Sequence, residues 1–454
     1  MTREELAGLS QEELISLVLR LHEQLTSLLS SAQEVAVLRE RVAQLEAELA
    51  EREPPKGKAR WAKPNKAESA GEKPARKKRP HGFGRKREQP THRVQHAAEN
   101  CPKCGCKLRG GWVKRRRQVL NIPLPPVEVI EHEIIVRQCP QCGEEVVPTV
   151  ELSDQVLGQH RVSIQTMALI VMLREIGRLP LQTIQWMLSQ FYGLKLCRGE
   201  LTEILHTVSK QAEASLERLK EQVRASPVVH ADETGWREKG RNGYIWTFST
   251  PLIRYFLYRH SRSGAVVTEV LGESFLGHLV SDFYAGYNRM TGLHQRCWVH
   301  LLRDIHKLKE DHPEDAELQR WARRVYRLYC WAQAFQSDDP ARRERAQHLF
   351  ERLLSNLCQP FLKSKAPQRT LCERIERYLP ELFAFVADPR VPADNNAAER
   401  SLRPLVVSRK ISGGTRSEAG SDTKMTLASI VGTWLAQGIN PFEACRNLLT
   451  SPRV

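Results

Sequence analysis

Apolar residues recur every seven positions from Leu14, at Leu21, Leu28, Val35, Val42 and Leu49, and Leu17, Leu38 and Leu45 fill part of a second seam. A heptad of that length predicts a coiled-coil helix within residues 1–53, with Gln24 and Ser31 interrupting the second seam. An amphipathic helix packed on the protein's own core fits the same spacing. Residues 54–95 show no apolar period and are rich in Pro, Gly, Lys and Arg, which predicts a disordered basic linker. Helical spacing governs residues 151–225, in runs at 162–178, 181–190 and 200–223. The period changes at Ser226. SPVVHADETGW, GYIWTFST and LIRYFLYRH predict three strands, GAVVTEVLG a helix, HLVSDFY a fourth strand, and residues 294–299 a fifth. Residues 301–388 are helical again, and a last helical region starts at Asp394. The order is three antiparallel strands, helix, strand, helix, strand and then a helical insertion, so the fold class is a multidomain α/β protein whose layer is interrupted late.

Charge narrows the partners. Among 454 residues, 69 Lys and Arg stand against 53 Asp and Glu, a net charge of +16 that favours a polyanion without saying whether it is DNA, RNA or an anionic membrane surface. In the linker, Lys77, Lys78, Arg79, Arg85, Lys86 and Arg87 alternate with Pro and Gly near the isolated Trp61 and Phe83, a composition suited to lying along a phosphate backbone. No stretch approaches the roughly 20 apolar residues of a spanning helix, and MTREELAGLSQEELI is acidic, without a signal-peptide apolar core. A cytoplasmic location is expected.

Eleven cysteines make a disulfide framework a poor explanation, because four of them form two Cys-x-x-Cys pairs. Cys101 and Cys104, then Cys139 and Cys142, each predict a knuckle that aims two thiolates at one point, and together they make a structural four-thiolate zinc site with no open position for a water. The β-like runs between them predict a small sheet with the knuckles at adjacent ends. Arg115, Arg116 and Arg117 suggest a DNA-contacting face of this module, and Cys106 is a spare thiol without an assigned role.

Asp232 and Asp282 each end an apolar run, so each is placed at the tip of a core strand. If those strands are adjacent and parallel, two like charges meet, and a divalent cation such as Mg²⁺ or Mn²⁺ relieves them. Two such ions would serve phosphoryl transfer on DNA. Strand-end aspartates are also ordinary turn formers. Glu399, in DNNAAER, is the candidate third carboxylate; it could equally complete a capping box with Asn396 or pair with Arg403 one turn on.

HADETGW, SDFYAGYN, CWVHLLRDIHKL and DNNAAERSLRP followed by GGTRS resemble, in order, the transposases of the IS66 family of bacterial insertion sequences. The resemblance extends to the zipper-like helix and the two-knuckle module. It implies a ribonuclease-H-like core with a catalytic triad of Asp232, Asp282 and Glu399 holding magnesium, and a helical insertion in the 117 positions (399 − 282) between the last two. It also matches Cys297 and His300 to a Cys-x-x-His pair beside the core, where a buried thiol and a hydrogen-bonded histidine are the plainer reading. The implied function is metal-dependent cleavage and strand transfer at the terminal repeats of a mobile element in the bacterial cytoplasm, near the nucleoid. Its partners would be double-stranded DNA at element ends and target, a second copy of the chain through residues 14–49, and accessory proteins of the same element. The expected domains are 1–53 coiled coil, 54–95 linker, 96–150 zinc module, 151–225 helical region, 226–300 with 389–436 catalytic core, 301–388 insertion and 437–454 a C-terminal tail shorter than the family's. Two rivals remain open: a non-catalytic zinc-finger regulator, and a nuclease or resolvase on the same scaffold.

Overall fold

The computed structural model describes residues 89–120, 122 and 126–451, in two units, Met1–Val119 and Leu120–Val454. The predicted coiled coil, Lys77, Lys78, Arg79, Arg85, Lys86 and Arg87 lie outside the described residues. In the first unit the backbone around Cys101 forms a turn closed by Gly105 N–H to Cys101 O (2.8 Å) and Cys101 N–H to Cys106 O (2.9 Å). The second unit opens with a short hairpin, β1 (Arg137–Gln138) and β2 (Glu145–Val146), around a matching turn at Cys139. The longer strands expected between the two cysteine pairs are absent among the described residues. Val129, Ile130, Ile134 and Ile135 are exposed, and an apolar-polar alternation makes a stable strand only where a second layer covers its apolar side.

Four helices follow: α1 (Ile164–Glu175), α2 (Leu181–Tyr192), α3 (Arg198–Gln211) and α4 (Glu213–Arg224). The spacing predicted one helix over 200–223. The break at buried Ala212 lets Leu201, Ile204 and Val208 pack with α1 and α2 while Leu219 and Val223 turn onto the sheet.

That sheet has five strands: β3 (Val228–Glu238), β4 (Arg241–Ser249), β5 (Arg254–Arg259), β6 (His278–Ser281) and β7 (Leu293–Arg296), in spatial order β5-β4-β3-β6-β7. The first three pair antiparallel as a meander, while β6 and β7 add parallel to β3. A helix, α5 (Ala265–Leu271), makes the crossover from β5 to β6. The predicted second crossover helix is only a 3-10 turn at Ala285–Arg289, and the fifth strand ends at Arg296 rather than 299. Cys297 instead caps α6 (Trp298–Asp311), the first helix of the insertion.

The insertion continues with α7 (Ala316–Ala334), α8 (Pro340–Cys358), α9 (Arg369–Arg377) and the short α10 (Ala384–Ala387) around its own core of Trp298, Trp321, Val325, Phe350 and Phe383. The chain then returns as α11 (Asn396–Ser412), α12 (Glu418–Ala436) and α13 (Pro441–Thr450). Alternate residues of β4 serve two faces: Trp246 and Phe248 pack with α4 and α5, and Ile245 packs with Leu402 and Leu405 of α11. Residues 437–454 are not merely a tail, since Cys445 and Leu449 of α13 are buried against the helical region. Among the described residues, no helix is long and apolar enough to cross a membrane.

Candidate active site

The parallel register brings the two aspartates together. Pairing of β3 with β6 ends at His230 opposite Val280, so Asp232 and Asp282 each lie two residues past the same rung. Asp232 is not at a strand tip as expected, because β3 runs on to Glu238 in its pairing with β4. It sits where the β6 neighbour stops, and there the side of the strand opens. Asp232 accepts its neighbour Glu233's N–H (2.9 Å), and Asp282 accepts the N–H of Tyr284 (2.8 Å).

Glu399 arrives from far along the chain by a clamp. Asn395, 1% exposed, precedes α11 and donates its Nδ2 to the carbonyl of Ala231 (2.7 Å). Its Oδ1 lies 3.1 Å from His230 Nδ1, and its backbone N–H donates to the Cys297 thiol (3.2 Å). One buried residue thus ties the start of α11, by its side chain, to His230 and Ala231 just before Asp232 and, by its backbone N–H, to Cys297 just after β7. The cap of α11 is Asn395, not Asn396, and the Asn396 N–H is taken by Asp394 (3.0 Å), so no capping box forms. Nor does Glu399 pair with Arg403; its ion-pair neighbour is His300 Nε2 at 3.7 Å. That distance is too long for a hydrogen bond, and His300 Nδ1 is buried without a partner among the described residues. Cys297 is a buried thiol pushed above its ordinary pKa by burial.

A second clamp holds Asp282. Arg296, fully buried at the end of β7, donates to the Asp282 carbonyl (2.9 Å), to Ser281 Oγ (3.2 Å) and to Asn288 Oδ1 (2.6 Å), pairs with Glu381 and lies over the Tyr378 ring at 4.7 Å. A third group, Glu233, has a side chain 2% exposed and accepts from Arg262 Nε (2.9 Å) and from the Tyr287 hydroxyl. Arg262 in turn stacks on Tyr284 at 4.0 Å. Glu233 therefore anchors the loop that carries Asp282. Asn395, Arg296 and Glu233 were not singled out from sequence, although each adjoins a motif that was.

Electrostatics ties the three carboxylates together. Burial first, then the charges of Glu233 and Asp282, with Glu399 contributing, push the Asp232 carboxyl up to about 7. Burial also raises Glu233, against its hydrogen bonds from Tyr287 and Arg262. Among the described residues no three His, Cys, Asp or Glu side chains are arranged so that they could hold a metal ion as they stand. The all-oxygen donor set and the repulsion stored on Asp232 nonetheless fit a hard divalent cation.

The two cysteine turns share one design. Gly143 N–H closes on Cys139 O (2.9 Å) and Cys139 N–H on Glu144 O (2.8 Å), as at Cys101. Gly105 and Gly143 have φ of 71° and 76°, left-handed values that favour glycine after each second cysteine. Hydrogen bonding from Cys106, whose sulfur is 3.1 Å away, lowers the Cys104 pKa, and the N–H groups of Cys142 and Gln141 lower that of Cys139. Arg115, Arg116 and Arg117 are exposed on a segment without regular structure.

The GGTRS motif closes the far end of β3. Thr415 exchanges backbone bonds with Arg237 and Lys239 (2.9 and 2.8 Å), and a Cβ on Gly414 would collide with the Arg237 carbonyl.

A five-stranded mixed sheet flanked by helices and interrupted by a helical insertion is an α/β fold consistent with the DDE transposases. A family profile described as "Transposase IS66 family" matches residues 159–423, and the chain belongs to that family. Among curated proteins it is similar to three uncharacterized proteins of Sinorhizobium fredii. It is 22% identical to y4qI over 291 residues (57% of this chain, 54% of that one) and 26% identical to y4jD over 293 residues (57% and 56%). Over 164 residues it is 30% identical to y4jO (36% and 49%). The chain spans about half the length of the curated relatives it matches.

Proposed function

We propose that this transposase cuts DNA at the ends of its mobile element and joins the freed 3′ ends to target DNA, using Asp232, Asp282 and Glu399 at a single site. The carrying observation is the convergence just described: two aspartates in register on parallel strands, and a glutamate clamped to the same strand end, acting together on the Asp232 proton. The strand order, with three antiparallel strands followed by two parallel ones, supports reading the sheet as a ribonuclease-H-like core. The three carboxylates would hold divalent cations, which when bound supply charge neutralisation at the reacting phosphate. Asp232 must surrender its proton for that, Asn395 and Arg296 fix the backbones on either side, and His300 stands beside Glu399. Water would first displace one DNA oxygen from phosphorus, and the released 3′-hydroxyl would then displace another in the target, one P–O bond forming as one breaks in each step.

We further propose that each cysteine turn supplies two thiolates to structural zinc, Cys101 with Cys104 and Cys139 with Cys142, and that residues 14–49 pair two copies. The two turns' closed backbones and lowered thiol pKa values support the first of these. Arg115, Arg116, Arg117 and the linker cations would contact DNA, in the cytoplasm of a bacterium. The deciding experiment is incubation of purified protein with duplexes bearing the inverted repeats that flank its gene and with Mg²⁺. Joined products are expected; cleavage without joining would favour a nuclease, and binding without either would favour a regulator.

A further inference from the structure

Helix α7 separates its residues sharply. Leu318, Trp321, Val325, Leu328, Tyr329 and Ala332 are buried in the insertion core. At 100° per residue, Arg320, Arg323, Arg324 and Arg327 fall within about 100° of arc on the opposite side, and Trp331 continues the same stripe one turn further. All four arginines are exposed, and none makes an ion pair or hydrogen bond among the described residues. The one acid within the helix, Glu317, lies in its first turn. Trp331 remains 55% exposed, yet its ring stands edge-on to Phe350 with centroids 5.1 Å apart, so it is a fixed flat surface rather than a loose side chain. Tyr326, 56% exposed, borders the stripe.

Four unpaired guanidiniums cost helix stability, because like charges three and four residues apart repel. Charge complementarity gives that arrangement a use. Duplex DNA carries a negative charge every ~1.7 Å of its axis, and Arg320 to Arg327 spans about 10 Å of helix, a length that meets several phosphates. Arginine contacts to phosphate carry no base information. Recognition of terminal repeats needs base readout; capture of target DNA of varied sequence does not.

We infer that the outer face of α7 is the platform for target DNA, gripping its backbone through Arg320, Arg323, Arg324 and Arg327 beside Trp331. The inference rests on the transposase reading above and adds a location to it.

The test uses the full chain and the triple variant Arg320→Gln, Arg323→Gln, Arg327→Gln, at three exposed positions. Affinity for a duplex of unrelated sequence is measured against salt. The variant should bind about tenfold or more weaker near 100 mM salt, with the logarithmic salt slope reduced by nearly 3. Cleavage of an element-end duplex should persist while joining to target falls at least tenfold. A photo-crosslinking p-benzoylphenylalanine in place of Tyr326 should label the target duplex, and the same group in place of exposed Trp186 on α2 should not. Unchanged affinity and slope would overturn the inference. So would equal loss of end cleavage and joining, which would assign the face to element ends, or crosslinks to protein alone, which would make it a contact between copies. If neither protein cleaves, the transposase reading itself fails, and the salt slopes still decide whether this face binds DNA.

Discussion

Arg296 and the arginines of α7 are the same residue put to opposite uses in two regions of one chain. At the sheet's end Arg296 is fully buried, and its guanidinium reaches Asp282, Ser281, Asn288 and Glu381. On the insertion's outer face Arg320, Arg323, Arg324 and Arg327 are exposed and have no partner among the described residues. Burying a guanidinium is tolerable only when its donors are satisfied, so each partner of Arg296 is held in one geometry. Leaving four of them in water sacrifices little folding energy and keeps their donors for something else. The sheet end is therefore built for precision and the insertion face for contact.

The largest effect expected is on chemistry at the sheet end. Asp232→Ala, Asp282→Ala and Glu399→Ala should each lower DNA cleavage by at least about 10³-fold. Duplex affinity should stay within about twofold, since these carboxylates repel rather than attract phosphate. Gel-resolved cleavage alongside anisotropy titrations would show it. Near-normal cleavage by the Glu399 variant would remove that residue from the site and leave Asp232 and Asp282 as a pair.

Asn395→Ala probes the precision directly. It deletes the bond to the Ala231 carbonyl and strands the His230 ring, two buried polar groups whose loss costs about 2–4 kcal/mol together. Cleavage should fall about 10²-fold as Glu399 drifts relative to Asp232. Thermal unfolding and cleavage measured on the same preparations should move together. A stable variant with normal cleavage would mean that the return of α11 is set by packing of Leu402 and Leu405 instead.

Most of this sheet was legible in the sequence. Runs such as VVHAD and HLVSD announce buried strands leading into acids, but their parallel adjacency was only a condition, because two further strands and a helix lie between them, and it is the pairing of β3 with β6 that supplies it. What escaped was every polar clamp. Asn395 sits beside the candidate cap Asn396, Arg296 beside Cys297 and Glu233 beside Asp232, yet their sequence neighbourhoods do not mark them, because burial of a polar side chain is decided by partners from 8 to 165 positions away. Asp232 was placed at a strand tip because the apolar run ends there, whereas the polar residues beyond it are held in β3 by pairing with β4 rather than by apolar alternation. Of the expected small sheet beside the cysteines only the hairpin β1–β2 forms among the described residues, for the complementary reason: alternation is present in the runs before it, but their apolar residues are left exposed.

The pH dependence of the metal-free chain separates stored repulsion from ordinary packing. Asp232 has its carboxyl raised from 3.8 to about 7. Between those values the folded chain keeps a proton that the unfolded chain releases, so stability should fall as pH rises through this window and level off above about 7. The full loss is at most on the order of 4 kcal/mol. Asp232→Asn cannot ionise, so in EDTA it should melt several degrees above wild type at pH 8 and level with it near pH 4. Mg²⁺ should raise the wild-type melting temperature at pH 8 more than that of the variant. A melting difference independent of pH would assign it to packing.

The smallest effect, and the one whose sign matters most, belongs to α7 in the absence of DNA. Arg320→Gln with Arg323→Gln and Arg327→Gln removes the close pairs Arg320–Arg323, Arg320–Arg324, Arg323–Arg327 and Arg324–Arg327. Like charges at these spacings each destabilise a helix by a few tenths of a kcal/mol, so the triple variant should gain up to about 1 kcal/mol. For a chain of this size that is about 2 °C or less in melting temperature. The gain should be seen at low salt and vanish near 1 M, where the screening length falls to about 3 Å. Arg296→Gln, by contrast, should lower the melting temperature by several degrees at either salt concentration, because the donors it removes are buried and already used. If the α7 variant melts lower than wild type at low salt, those guanidiniums are paired with acids in solution. The contrast between the two regions would then lie in which partner each arginine holds, and the α7 face would not be free to meet DNA.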